Sequence, residues 1–416
     1  MLQLVEVNRK NFSDYLQFID KETADELAFL VQKLKNKKIA MISATAYGGG
    51  VAEKMHSLVP LMQDLGLEID WWVIFGHDEF YGVTKTFHNR LQGQEGELTP
   101  GQKEIYLKYN QMNASYMKEW PPYDIFVVHD PQPAALIAYR EKREHENWLW
   151  RCHIDTSVAN EEYWDFLYQY TEQYDTVIFT MKDYVQENYF KKIDFITPSI
   201  DPLSVKNIFL EKEEAKAIIS RFGIDPHRPL ISQVSRFDPW KDPLGVIDVY
   251  KIVKKEFPSI QLALVGSMAS DDPEGWDYLY NTLRRAGEDC DIKVITNFNG
   301  ISDLEVNAFQ TVSDIILQKS LREGFGLTVA ESLWKGTPVI GGNVGGIKLQ
   351  IEDGVTGYLV DTVEECAQKT LKLLRNPMLA EEMKEAGREK VKKEFLVTGN
   401  ILHYLRLFRR LILPDF

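Results

Sequence analysis

A chain of 416 residues is too long for one compact core, and the usual domain size divides it into two or three, of which two is our reading. With 44% hydrophobic and 26% charged residues it has the makeup of an ordinary globular protein, and a net charge of −14 argues against nucleic acid or an anionic membrane as partner. Cys152, Cys290 and Cys366 are widely spaced and form no CxxC pair, so neither a disulfide framework nor a zinc site is expected and the compartment reads as reducing. The N-terminus, with Glu6, Arg9, Lys10 and Asp14, lacks the apolar centre of a signal peptide, and a cytoplasmic location is expected.

From about residue 37 short apolar runs alternate with longer amphipathic stretches, which predicts a parallel sheet with helical crossovers. The first series is Ile39–Ser43, Ile69–Ile74, Ile125–His129, Leu149–Ile154 and Val177–Thr180, with helical patterns at Val51–Leu65 and Pro133–Glu144. After the proline-bracketed Pro198–Pro202 the alternation restarts with Leu230–Ser235, Gln261–Gly266, Lys293–Thr296, Asp314–Gln318, Pro338–Gly341 and Gly357–Val360. The expected fold class is therefore α/β: two Rossmann-like, doubly wound domains, 1–200 and 201–395, facing across a cleft at the carboxyl ends of their strands. The apolar, arginine-bearing stretch Ile401–Leu413 has the composition of a terminal helix packing back on a domain, and 396–416 is expected to return to the first one.

Six segments carry chemistry. Gly48-Gly49-Gly50-Val51-Ala52-Glu53 follows the first strand and opens a helix, so its N–H groups and the helix dipole can meet an anion; it does not fit GxGxxG, which weakens a dehydrogenase reading. His129-Asp130-Pro131-Gln132 and Trp150-Arg151-Cys152-His153-Ile154-Asp155 each begin at the end of a predicted strand and offer hydrogen-bonding groups to a polyhydroxylated ligand. Thr84–Asn89 lies in a region without strand periodicity, which we read as a loop of the kind that closes over a substrate. Arg236 and Lys241, five residues apart where a strand gives way to a helix, can converge on a diphosphate. Glu323-Gly324-Phe325-Gly326-Leu327-Thr328-Val329-Ala330-Glu331 again joins a strand to a helix, with glycines that permit close approach and carboxylates suited to sugar and ribose hydroxyls.

Together these segments resemble the retaining glycosyltransferases of the GT-B fold, which include sucrose-phosphate synthase and bacterial glycogen synthase; the general marks are Arg236/Lys241 and the E-x7-E element at Glu323 and Glu331. More narrowly, GGGVAE, VTKTFHN, HDPQPAAL, WLWRCHID, TPSIDPLS, QVSRFDPWK and DDPEGW are similar to the trehalose glycosyltransferring synthases, over about residues 37 to 395. The resemblance implies a glucosyl transfer from a nucleoside diphosphate glucose (UDP- or ADP-glucose) to glucose, giving trehalose, in some members reversibly. It implies Arg236 and Lys241 on the donor diphosphate, with Gly49 and Gly50 beneath it, and Glu331 on the ribose. Glu323 with backbone groups of Gly324, Phe325, Gly326 and Leu327 would take the donor glucose, and Phe298–Ile301, including Asn299 and Gly300, the base. His153 would sit against the reacting sugar, making His153, Arg236, Lys241 and Glu323 the catalytic set. The acceptor pocket would draw on His88, Asn89, Asp130, Gln132 and Asp155. Where the family usually carries Pro-Glu after the Gly345-Gly346 turn, this chain has Ile347-Lys348-Leu349-Gln350.

Retention by double displacement needs a carboxylate nucleophile, and no motif supplies an obvious one, so front-face attack is the expected mechanism. No resident metal is required, since the cations and helix N-termini supply positive charge; Mg2+ has a place only on the nucleotide. The partners implied are nucleoside diphosphate glucose and glucose or trehalose, with room for a homodimer and with no nucleic acid or membrane. The competing readings are a retaining trehalose phosphorylase, whose chains are generally longer, and a non-catalytic nucleotide-sugar sensor.

Overall fold

The computed structural model describes residues 2–186, 189–190, 192–268 and 273–413. Asp271 and Asp272 of the DDPEGW run, and residues 414–416 of the C-terminal stretch, lie outside the described residues. The chain forms two compact units, Met1–Ser199 with Val397–Phe416, and Ile200–Leu396.

The first unit contains strands β1 (Gln3–Leu4), β2 (Lys38–Ser43), β3 (Glu68–Val73), β4 (Ile125–His129), β5 (Asn147–Arg151), β6 (Thr176–Phe179) and β7 (Ile193–Phe195). They form one sheet in the order β1-β3-β2-β4-β5-β6-β7, parallel except for β1. Every residue of β4 and β6 is buried, as a sheet covered on both faces requires. Helices α1 (Lys21–Lys33), α2 (Gly49–Asp64), α3 (Asp78–Leu91), α4 (Pro100–Tyr116) and α5 (Glu161–Thr171) provide the cover. Asp20 caps α1 through the Thr23 amide, and Thr99 with Gln102 forms a capping box that starts α4.

The second unit holds a wholly parallel sheet of β8 (Leu230–Val234), β9 (Gln261–Gly266), β10 (Ile292–Thr296), β11 (Ile315–Gln318), β12 (Val339–Gly342) and β13 (Gly357–Val360), ordered β10-β9-β8-β11-β12-β13. Its helices are α6 (Lys212–Ser220), α7 (Pro243–Lys254), α8 (Pro273–Ala286), α9 (Asp303–Val312), α10 (Leu327–Trp334), α11 (Ile347–Gln350), α12 (Val363–Arg375) and α13 (Pro377–Glu394). The last helix, α14 (Val397–Ile412), belongs to the first unit, where Arg406 forks onto Glu26 at 2.6 and 2.7 Å and Arg410 bonds Asp194. No described helix is long and apolar enough to cross a membrane.

The doubly wound reading is borne out, and both sheets have a strand-order reversal: between β2 and β4 in the first, and between β8 and β11 in the second. Three local expectations are corrected. Thr84–Asn89 is not a loop but part of α3, because Phe80, Val83 with Thr84, Phe87 and Leu91 form a buried stripe at helical spacing. Pro133–Glu144 yields only a short 3₁₀ turn, Ala134–Tyr139, since Ala134 through Ile137 are all buried and leave no polar face for an amphipathic helix. The strand expected at Leu149–Ile154 runs instead over Asn147–Arg151, so His153 stands two residues beyond its end.

Candidate active site

In the second unit, the residues after β8 and β11 meet at the order reversal. Lys241 closes a turn whose Asp238 accepts the Lys241 amide at 3.1 Å, and its Nζ donates to Glu323 Oε2 at 2.5 Å. Ser320 Oγ donates to the same carboxylate oxygen at 3.3 Å. The loops are also joined through the backbone, Leu321 N to Trp240 O at 2.7 Å, so the pair is held by two strands rather than one. Burial pushes the Asp238 carboxyl up, while Arg236 reaches it at 3.3 Å and otherwise points to solvent, its side chain 66% exposed. Lys241 against Glu323 and the exposed Arg236 fork against Asp238 thus set two cations beside two carboxylates, a combination able to receive a diphosphate and a sugar hydroxyl.

The glycine-rich loop follows directly. Gly326 caps α10 at φ 81°, a left-handed conformation in which an added Cβ would meet Glu323 Cγ at 3.1 Å. Gly324, Gly326 and Leu327 are partly open, so the N-terminus of α10 is accessible to an anion or hydroxyl. The Phe325 ring turns inward against Phe395, centroids 5.6 Å apart, leaving only its backbone for a ligand. Glu331 is placed differently: it is 3% exposed, receives Gln310 Nε2 at 3.0 Å and lies 3.7 Å from Lys206. Asn299 and Gly300 sit in the exposed loop after β10, with Asn299 Oδ1 accepting the Thr296 amide at 2.9 Å.

Gln350 ends the Ile347–Gln350 stretch that departs from the family's Pro-Glu, and motif reading gave it no role. It is fully buried and donates Nε2 to Phe325 O at 2.5 Å, with Gly326 O and Gly346 O both at 3.3 Å. An amide can donate to these carbonyls, and Gln350 thereby ties the glycine loop to α11. Lys319, 4% exposed, was also missed; it pairs with Asp242 at 2.6 Å and secures the start of α7.

In the first unit, Asp130 follows β4 with φ 66°, an unusual conformation for a residue with a side chain. Three contacts hold it there: its amide donates to Arg151 O at 2.8 Å, its carboxylate accepts the His153 amide at 2.8 Å, and its carbonyl accepts Trp150 Nε1 at 2.9 Å. Such strain, of order 1–3 kcal/mol, persists where the surroundings over-determine it, and it concentrates at working sites. Burial raises the Asp130 carboxyl to about 6. His129 and His153 are pushed well below the ordinary imidazole range by burial, then by Lys54 and Arg151, so both rings are neutral near pH 7.

The same unit brings in a residue that no motif flagged. Lys54, in the second turn of α2, has its Nζ 3.0 Å from His153 Nδ1, and His153 Nε2 lies 2.9 Å from His129 Nδ1. Its i, i+4 relation to Gly50 was the available signal, because helical side chains lean toward the N-terminus and Lys54 therefore follows the glycines onto the same face. Gly49 and Gly50 are exposed in the first turn, Gly49 at φ 78°. Asp155 is 8% exposed and engaged by its own turn, accepting Ser157 N at 3.0 Å and Ser157 Oγ at 2.6 Å. Gln132 keeps a buried Oε1 without a hydrogen-bond partner among the described residues. His88 and Asn89 are half-buried on the last turn of α3, away from the strand-end cluster in sequence and element.

Residues 41–186 match the trehalose synthase N-terminal domain family, and residues 214–390 match glycosyl transferases group 1. The trehalose synthase of Pyrococcus horikoshii is 49% identical over 97% of both chains. The trehalose phosphorylase of Grifola frondosa is 26% identical over 95% of this chain but only 60% of its own. Among solved structures, that of trehalose-6-phosphate from E. coli bound with UDP-2-fluoro glucose superposes with a TM-score of 0.73 at 14% identity, covering 91% of this chain and 99% of the other. The motifs, the two doubly wound sheets and this identity along almost the whole length agree: the chain belongs to the trehalose synthase family and is a glycosyltransferase of the GT-B fold.

Proposed function

We propose that this enzyme transfers glucose, with retention of anomeric configuration, from a nucleoside diphosphate glucose to free glucose, forming trehalose. The observation that carries the reading is the Arg236, Lys241 and Glu323 group beside the open N-terminus of α10. Arg236 and Lys241 neutralise the diphosphate as it leaves, which is where negative charge develops. Glu323 and the amides of the 324–327 loop hold the donor glucose, with Gln350 keeping those amides in place. The base is met by the loop of Asn299 and Gly300, and the exposed amides of Gly49 and Gly50 are of the kind that binds phosphate. Glu331 takes the ribose with the acceptor sites its carboxylate keeps beside those engaged by Gln310 and Lys206. The first unit binds the acceptor through Asp130 and Gln132, with His153 against the reacting sugar and Asp155, His88 and Asn89 around it.

Front-face attack fits these residues best. Asp130 and Asp155, the carboxylates nearest the strand ends, are committed to local bonds with the His153 amide and with Ser157. The departing diphosphate is then the base that receives the acceptor hydroxyl's proton as the glycosidic bond forms. The bound UDP-2-fluoro glucose of the E. coli structure, and the much lower identity to a phosphorylase, support nucleotide sugar over glucose 1-phosphate as donor. The test is to supply UDP-glucose or ADP-glucose with and without glucose, and separately trehalose with phosphate. Trehalose formed together with released nucleotide only when glucose is present establishes the reading. Glucose 1-phosphate formed from trehalose and phosphate, with no nucleotide-sugar turnover, replaces it with the phosphorylase.

A further inference from the structure

We propose that Lys54 is a positioning residue for this transfer: through His153 it fixes the tautomers of both strand-end histidines, so that His153 serves as a fixed wall of the site and not as an acid or base. The geometry is a three-member chain, Lys54 Nζ to His153 Nδ1 at 3.0 Å and His153 Nε2 to His129 Nδ1 at 2.9 Å. While Lys54 is charged, its ammonium has donors and no acceptor, so in that state the first contact requires a bare lone pair on His153 Nδ1. The neutral ring then carries its proton on Nε2 and donates it to His129 Nδ1. His129 must in turn be protonated on Nε2, a buried atom with no hydrogen-bond partner among the described residues. One lysine thereby settles two rings, and neither nitrogen of His153 is left to exchange a proton with a ligand.

The arrangement is anchored from three elements. Gly49 and Gly50 begin the helix that carries Lys54, and the side chain lies four residues beyond Gly50 on the same face. His129 and Asp130 leave β4, and Arg151 and His153 leave β5. The charged and titratable groups facing the chain are Glu53 from α2, Asp130 from β4, Arg151 from β5, and Tyr404 from α14, which lies near Arg151 and Asp130. Arg151 is 1% exposed and Asp130 is its nearby carboxylate, so the two cations, Lys54 and Arg151, stand against one buried acid. That imbalance keeps the imidazoles neutral, in agreement with the contact geometry.

The inference rests on the proposed transfer reaction only for its kinetic arm. The first measurement is on the full-length protein without ligand, labelled with 15N-histidine, at about pH 6, where Lys54 is charged. Nε2–H on both His129 and His153 is the expected result, and a proton on His153 Nδ1 overturns the proposal. The second compares Lys54→Met with Lys54→Arg. In the methionine variant His153 is expected to sample both tautomers and to titrate nearer the ordinary imidazole range. Its kcat falls by about 100-fold, as for misplacement of a reacting group, while KM for the nucleotide sugar is unchanged. The arginine variant, which still donates, recovers the tautomers and part of kcat. Unaltered histidine tautomers or an unaltered kcat in a folded Lys54→Met protein overturns the proposal. If that variant does not fold, the wild-type spectrum decides. A wild-type enzyme that turns over no nucleotide sugar removes the functional reading instead, and the tautomers are still read independently.

Discussion

In the second unit Arg236 stands 66% exposed and Lys241 answers Glu323 across two loops, whereas in the first unit His129 and Arg151 are sunk to 2% and 1% exposure at the strand ends. The cores differ in parallel. Around the first sheet pack Trp148, Trp150, Phe126, Phe87, Tyr106 and Tyr163, while the second is lined by Ile231, Val246, Ile247, Val249, Leu262 and Leu264. A slim aliphatic core places the second unit's polar groups on glycine-rich loops and helix ends, where backbone amides stay accessible. The aromatic core of the first unit encloses its polar groups, so neighbouring side chains set their charge states. The difference matches the division of the proposed function, with the charged leaving group assigned to one unit and neutral hydroxyls to the other.

The largest effect that would sharpen this contrast is expected at the exposed cation. Arg236→Ala should lower kcat by about 10³-fold, the scale for losing a group that stabilises developing charge, with no new pH dependence. Initial rates across pH test it; a loss that vanishes at one end of the pH range would place Arg236 in the same class as the buried residues. Asp130→Asn should cost about 100-fold through misplacement. It should also remove the acid limb of the rate profile, because the wild-type carboxyl, raised to about 6 by burial, ionises only above that pH. A limb that survives the substitution belongs to another group.

Gln350→Leu should raise KM for the nucleotide sugar by about 10-fold with little change for glucose, since it leaves the Phe325 carbonyl without its donor, a cost of about 1–3 kcal/mol. Equal effects on both substrates would break the division between donor and acceptor units. The smallest effect is on stability. Burial depresses the Lys54 pKa to about 7, so a contribution present in the ordinary lysine range is lost as pH falls toward 7. Lys54→Met lacks that loss, and its Tm should gain on the wild type by a few degrees as the pH is lowered over this interval. A constant difference would mean that Lys54 is not depressed.

The same contrast governs how much of the molecule could be read before folding. Parallel strands buried on both faces must be apolar along their length, so β4, β8, β9 and β13 were legible as apolar runs. β1 and β7, short and partly exposed, carried no such signal. Arg236 with Lys241, and Glu323 with the glycines that lead to Glu331, were legible because each set lies at a fixed spacing within its own short stretch of chain. His129, Asp130 and His153 were legible as strand-end residues, but not as neighbours. α3 was hidden because Thr84, Lys85, Thr86, His88 and Asn89 mask a stripe of only a few buried residues.

By itself, the sequence determined the alternation of strands and helices, the two-unit division of the sheet pattern, the family, and the residues of the glycine-rich turns, since each depends on side chains near one another along the chain. Tertiary structure alone decided that Lys54 meets His153 from 99 residues away, that Gln350 fastens Phe325, that Glu331 is buried against Gln310, and that Asp130 is held at positive φ. Those contacts join separate elements brought together by sheet order, and the protonation of a buried group depends on all of its neighbours at once.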